Sequence, residues 1–139
     1  MDAPLRVVLD TNVVFEGLTN QASACGLIAD LWRAKLLRVC VSDTIAYEYA
    51  DVLSRKLSDQ RWSEIRLVLQ ALLKEAELVD VYFSWRPASP DPGDDHVIDC
   101  AMNANALLVT SNIRDFKTAQ QVLGLQTITP VKLLEYLTD

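Results

Sequence analysis

At 139 residues the chain can build one domain around a single core and is too short for two ordinary ones. Half of it is hydrophobic, with only four Gly and five Pro, which excludes a disordered or fibrous chain. A formal net charge of −6 excludes a protein that holds nucleic acid mainly by counterion release over a broad basic surface. It leaves room for a site where several carboxylates gather on a divalent cation, because the metal itself then draws in a phosphate. No apolar run approaches the ~20 residues that span a bilayer, and no basic segment followed by an apolar core opens the chain. The expectation is a soluble, cytoplasmic protein without membrane association. Cys25, Cys40 and Cys100 are odd in number, far apart and accompanied only by His96. That pattern predicts small buried thiols in a reducing compartment, not disulfides or structural zinc.

The first element is Leu5-Arg6-Val7-Val8-Leu9, a short aliphatic run without clean alternation. It fits a strand covered on both faces, as in a parallel sheet. It stops at Asp10-Thr11-Asn12, small polar residues that suit either a helix cap or a site beyond the carboxyl end of a strand. Over 21–37, Ala24, Leu27, Ile28, Leu31 and Trp32 recur at helical spacing. Arg38-Val39-Cys40-Val41 reads as a second strand. Ser42 is the expected N-cap of a helix from Thr44 to about Arg55, with Ile45, Tyr49, Val52 and Leu53 on its apolar side. Glu48 shares that face, and a carboxylate inside an apolar stripe is costly unless paired or bound to a cation.

A further helix is expected from Trp62 to Ala76, capped by Ser63, and Leu78 to Val81 fits a third strand. Tyr82 to Gly93 carries Pro87, Pro90 and Pro92 and reads as one long loop. The stripe Val97, Ile98, Ala101 and Ala104 follows. Extrapolated back one turn it reaches Asp94, with Asp95 turned away by about 100°. Acids at a helix start are usually caps, but two adjacent ones after a proline-rich loop are also candidates for a site. Leu107-Leu108-Val109 is a fourth strand, ending in Thr110-Ser111-Asn112 with Asp115 a few positions on. A short helix, a brief strand at 126–128 and a final helix with Thr129 as N-cap and Pro130 as its first residue complete the chain.

Strand–helix alternation of this kind predicts an α/β fold with a central parallel sheet and helices on both faces. The carboxyl ends of all its strands then share one edge. Asp10 and the 110–115 segment follow strands directly, and the helices bearing Glu48 and Asp94 start at that edge. Four carboxylates converging there without matching basic residues would suit a hard divalent cation, Mg²⁺ or Mn²⁺.

In this order and at these spacings the motifs resemble the PIN-domain family of metal-dependent ribonucleases, in particular its toxin-like VapC-type branch. They are Val8-Leu9-Asp10-Thr11-Asn12-Val13; Ser42 with Glu48 and Val52-Leu53-Ser54-Arg55; Asp94 with Ala101; and Leu108-Val109-Thr110-Ser111-Asn112 with Asp115-Phe116. The resemblance covers nearly the whole chain, 1–139, as a single PIN-like domain. It implies metal-binding catalytic acids at Asp10, Glu48, Asp94 and Asp115, supported by the hydroxyl of Thr110 and by Asn12. Many relatives carry an Asp where this chain has Asn112, so the fourth ligand is either supplied by Asp115 or weakened. Asp94 is preferred to Asp95 because it lies on the helix stripe. The implied reaction is hydrolysis of RNA phosphodiesters with one or two Mg²⁺ or Mn²⁺ ions. Arg114 and Lys117 are candidate phosphate contacts. A cognate antitoxin and a homodimer are the implied partners, with Trp32, Trp62 and Trp85 as interface candidates.

Two other readings compete. A haloacid-dehalogenase-type phosphatase would need a second Asp two residues after the first, and that position is Asn12. A PIN-like domain with a decayed metal site, kept as an RNA- or protein-binding module, is the non-enzymatic alternative.

Overall fold

The computed structural model describes residues 3–84 and 92–138. Trp85, Pro87, Pro90 and Asp91, in the expected proline-rich loop, lie outside the described residues. Five strands, β1 (Leu5–Leu9), β2 (Leu37–Val41), β3 (Glu77–Leu78), β4 (Leu107–Val109) and β5 (Thr127–Ile128), form one sheet in the order β3-β2-β1-β4-β5. Every pairing is parallel. The helices are α1 (Thr11–Thr19), α2 (Ala24–Arg33), α3 (Asp43–Lys56), α4 (Asp59–Lys74), α5 (Pro92–Ala104), α6 (Lys117–Leu123) and α7 (Pro130–Thr138), with a 3-10 turn at Ile113–Phe116. The α/β architecture with a central parallel sheet is therefore as the alternation of elements predicts.

The core explains why the strands read as unbroken aliphatic runs. Val7, Val8, Leu9, Val39, Cys40, Leu108 and Val109 are all buried, because helices cover both faces of the sheet over these positions. Helix α2 contributes Ile28 and Trp32, α3 contributes Ile45, Tyr49 and Leu53, and α5 contributes Val97, Ile98 and Ala101. All three cysteines are buried and free, as their number and spacing predict. Burial pushes the thiols of Cys25 and Cys100 up to about 12, so they stay protonated. Trp32 is a core residue, only 1% exposed, and is not available as an interface residue; Trp62 is half-buried against the core.

Several boundaries depart from the sequence reading. Helix α1 is foreshadowed only by the helix-cap reading of Asp10-Thr11-Asn12: Thr11, Val13, Val14, Gly17 and Thr19 are poor helix formers, so packing rather than propensity forms it. Gly17 is part of that packing, since a Cβ there would stand 2.7 Å from the Cys25 carbonyl oxygen of α2. The expected helix over 21–37 ends at Arg33. Lys35 adopts a left-handed conformation, φ 64°, and the Leu36 N–H closes back on the Leu31 carbonyl at 3.0 Å, releasing Leu37 into β2. Helix α4 starts at Asp59, capped by Ser58, whose hydroxyl accepts the Arg61 N–H at 3.2 Å. Ser63, the cap expected from sequence, lies inside the helix and donates to the Gln60 carbonyl. By contrast Ser42 caps α3, accepting the Ile45 N–H at 3.2 Å, and Thr129 accepts the Lys132 N–H ahead of α7.

Candidate active site

β1 is the middle strand, and the chain builds outward from it on both sides. The crevice between β1 and β4 is therefore the point where strand order reverses, the usual place for a ligand in an open parallel sheet. Asp10 leaves β1 at this point and Thr110 leaves β4. Their backbones remain in the ladder, with the Asp10 N–H on the Val109 carbonyl and the Thr110 N–H on the Ile128 carbonyl, both at 3.0 Å.

Asp10 is 6% exposed and its carboxylate is held at both oxygens. Oδ1 accepts the Thr11 N–H at 2.8 Å, capping α1, and Oδ2 accepts the Thr110 hydroxyl at 2.8 Å. Asp10 is thus a cap and a site candidate together; the two readings of Asp10-Thr11-Asn12 are not exclusive. These two bonds fix the orientation of the carboxylate. Thr110, fully buried, also accepts the Asn112 N–H at 3.0 Å, so one hydroxyl ties the turn after β4 to Asp10.

Asp10, Glu48 and Asp94 line one cleft of about 260 Å³. Val52 and Val97 contribute its apolar lining, and Asn12, exposed on the first turn of α1, stands at its edge. Glu48 arrives on α3, whose neighbouring Tyr49 is fully buried and donates its hydroxyl to the Leu9 carbonyl at 2.5 Å. That bond joins the residue before Asp10 to the residue after Glu48. Burial pushes the Tyr49 phenol well above its ordinary range, so it remains a donor. Sequence reading treated Tyr49 as core only; its position next to Glu48 was the available signal.

Asp94 is half-buried and belongs to the cleft lining, whereas Asp95 is 4% exposed and does not. Asp115 is exposed on the 3-10 turn, its N–H on the Asn112 carbonyl, and stands outside the cleft lining, as do exposed Asn112, Arg114 and Lys117. The cleft does hold two basic residues, Arg55 and Lys56 from the end of α3. The expectation of an acidic cluster without matching cations is corrected on this point. Arg55 and Lys56 lie about one helical turn beyond Val52 and two beyond Glu48, a spacing that the sequence already contained.

Among the described residues the side chains in the cleft that could ligate a metal offer oxygen, a donor set that suits Mg²⁺ or Mn²⁺ and not a site for zinc built on Cys or His. Among the described residues no group of three or more His, Cys, Asp or Glu side chains is gathered closely enough to hold a metal ion. Mg²⁺ ordinarily keeps several waters and takes only one or two carboxylates directly. A larger cavity of about 620 Å³ opens at the opposite edge of the sheet, around Leu5, Leu107 and Gln126. Among the described residues its lining contains no acidic side chain, whereas the smaller cleft is lined by Asp10, Glu48 and Asp94.

A family model described as PIN domain matches residues 6–114. The chain belongs to the PIN domain family. Among curated proteins no sequence matches it significantly. Solved structures share the PIN fold at low identity. VapBC2 from Rickettsia felis, bound to a DNA fragment from its promoter, superposes with a TM-score of 0.65 at 16% identity, over 90% of this chain and 98% of that one. VapBC-1 from nontypeable Haemophilus influenzae gives 0.61 at 15% identity, over 91% and 99%. FitAcB from Neisseria gonorrhoeae gives 0.61 at 16% identity, over 89% and 97%. Among the described residues of this PIN domain, no helix is long and apolar enough to cross a membrane.

Proposed function

We propose that this PIN domain is a divalent-metal-dependent endoribonuclease of the VapC type, the toxin of a toxin–antitoxin pair. The observation that carries the reading is Asp10: a buried carboxylate at the strand-order reversal, oriented at both oxygens, sharing one cleft with Glu48 and Asp94. Asp10 is the central ligand in this reading because Thr11 and Thr110 fix its direction before any cation arrives. Asp94 completes the ligand set from the start of α5, and Glu48 holds the cation or orients the attacking water. When bound, Mg²⁺ or Mn²⁺ supplies Lewis-acid neutralisation of charge on the phosphoryl group and a lower pKa for water. The three carboxylates that line the cleft carry the proposal; Asp115 enters it only as an acid at the periphery.

The partner is proposed from the company the fold keeps: the similar structures are VapBC and FitAcB assemblies, which points to an antitoxin for this chain as well. A homodimer and a cytoplasmic location belong to the same proposal. Cleavage of a single-stranded oligoribonucleotide with Mn²⁺, its loss in EDTA, and its loss in Asp94→Asn but not in Asp95→Asn are the expected results. Cleavage that persists in EDTA would overturn the metal-dependent mechanism. One feature favours the second reading, a non-catalytic binding module: with Asn112 and Asp115 outside the cleft lining, three acids remain there among the described residues. Such a module binds RNA without cutting it and takes up Mn²⁺ no better than an ordinary acidic surface.

A further inference from the structure

The end of α3 turns two cations into the carboxylate cleft, and each is held by a different neighbour. Arg55 donates its Nε–H to Asp51 Oδ2 at 3.0 Å, one helical turn back. The bond anchors the near side of the guanidinium. Its two outer nitrogens have no protein hydrogen bond among the described residues, and they form the fork that matches two phosphate oxygens. Lys56 lies with its ammonium 5.0 Å from the centre of the Phe15 ring on α1. The ring restrains a side chain that would otherwise sample many rotamers. Both side chains are exposed, and both line the cleft that holds Asp10, Glu48 and Asp94.

A bound cation draws in the phosphate under attack, and positive side chains beside the cleft would hold the neighbouring phosphates of the same strand. In a chain of net charge −6 that positive charge must be local. We propose that Arg55 and Lys56 form a phosphate clamp that seats the backbone of single-stranded RNA over the carboxylate cleft. The inference deepens the ribonuclease reading and rests on it for the identity of the ligand. It replaces Arg114 and Lys117 as the phosphate contacts, since neither of those lines the cleft. The competing account is ordinary surface chemistry: an exposed Arg–Asp pair at (i, i+4) and a lysine resting on a ring, with no part in binding.

The test is binding of a labelled single-stranded oligoribonucleotide, followed by fluorescence anisotropy at several salt concentrations. Full-length Asp10→Asn, in which cleavage is blocked, is compared with the same chain carrying Arg55→Gln and Lys56→Gln. A second comparison carries Arg114→Gln and Lys117→Gln, the same change of charge outside the cleft. Loss of the clamp is expected to weaken binding about tenfold, and to flatten the log–log salt dependence by about 1.4 for two phosphate contacts on a single strand. The Arg114/Lys117 pair is expected to change affinity no more than about twofold. Melting temperatures within two or three degrees of the parent would show that Arg55 and Lys56 have not been lost through unfolding; should the double variant unfold, the single Lys56→Gln carries the test with about half the change in slope. Unchanged affinity and slope, no binding by the parent, or equal losses from the two pairs would overturn the clamp. Cleavage by wild type is scored separately. A chain that binds through Arg55 and Lys56 but never cuts would sink the ribonuclease reading and leave the clamp standing, and a chain that cuts with unaltered affinity would do the reverse.

Discussion

Thr110→Val isolates the hydroxyl that orients Asp10. Thr110 is fully buried, its hydroxyl donates to Asp10 Oδ2 at 2.8 Å, and valine fills nearly the same space. A hydrogen bond to a charged group contributes about 1.5–3 kcal/mol. The methyl that replaces the hydroxyl recovers up to about 0.8 kcal/mol through apolar burial. The second bond lost, from the Asn112 N–H at 3.0 Å, costs little because Asn112 is exposed and water can take over. The net expectation is about 1–2 kcal/mol, which for a domain of this size lowers the melting temperature by about 3–8 °C. Thr110→Ser, which keeps the donor and loses only the methyl, should recover most of that stability. Calorimetric melts of the three proteins at neutral pH in EDTA decide the matter. A valine variant as stable as wild type, with the serine variant below both, would show that Thr110 serves packing and that Asp10 needs no orienting donor.

Tyr49→Phe keeps the ring in the core and removes the bond to the Leu9 carbonyl; a loss of about 1–2 kcal/mol is expected in melts. A fall of several-fold in Mn²⁺ affinity should accompany it, because the bond links the segments bearing Asp10 and Glu48, and an unchanged affinity would reduce Tyr49 to a structural residue. At the far edge of the sheet, Glu77 is bonded to Arg6 and lies 3.6 Å from Arg38, and the Arg6 bond holds its carboxyl below the usual range. A lowered folded-state pKa contributes stability above the unfolded value, about 4.3, that is lost as pH falls through the folded value. Glu77→Gln should therefore melt below wild type at pH 7, with the gap closing below about pH 4; a gap independent of pH would refute the ion pair as its cause.

What was legible in the sequence follows from which forces act locally. β1, β2 and β4 could be read because strands buried on both faces leave unbroken aliphatic runs, and Ser42 and Thr129 because a cap is a bond between neighbours in sequence. Helix α1 was hidden because its residues favour strands and turns, and only Cys25 and the rest of α2 packed against it make it a helix. Asp10, Glu48 and Asp94 stood out as acids at strand ends or on apolar stripes. Arg55 entered only as the end of the Val52-Leu53-Ser54-Arg55 motif and Lys56 not at all, since charged residues at the end of a helix look like solvated surface until the cleft beside them is seen. The tie between Thr110 and Asp10 spans 100 residues and needs the β1–β4 pairing to exist.

The central claim is that the Asp10 cleft is built to hold a divalent cation, and melting wild type and Asp10→Asn with and without Mn²⁺ tests it without any choice of substrate. Binding to the native state alone adds about 2.7 kcal/mol at a hundredfold excess over Kd, which corresponds to a rise of about 5–11 °C for wild type. The account predicts that rise in wild type and little of it in Asp10→Asn. Two proteins that ignore Mn²⁺, or that gain from it equally, would contradict it.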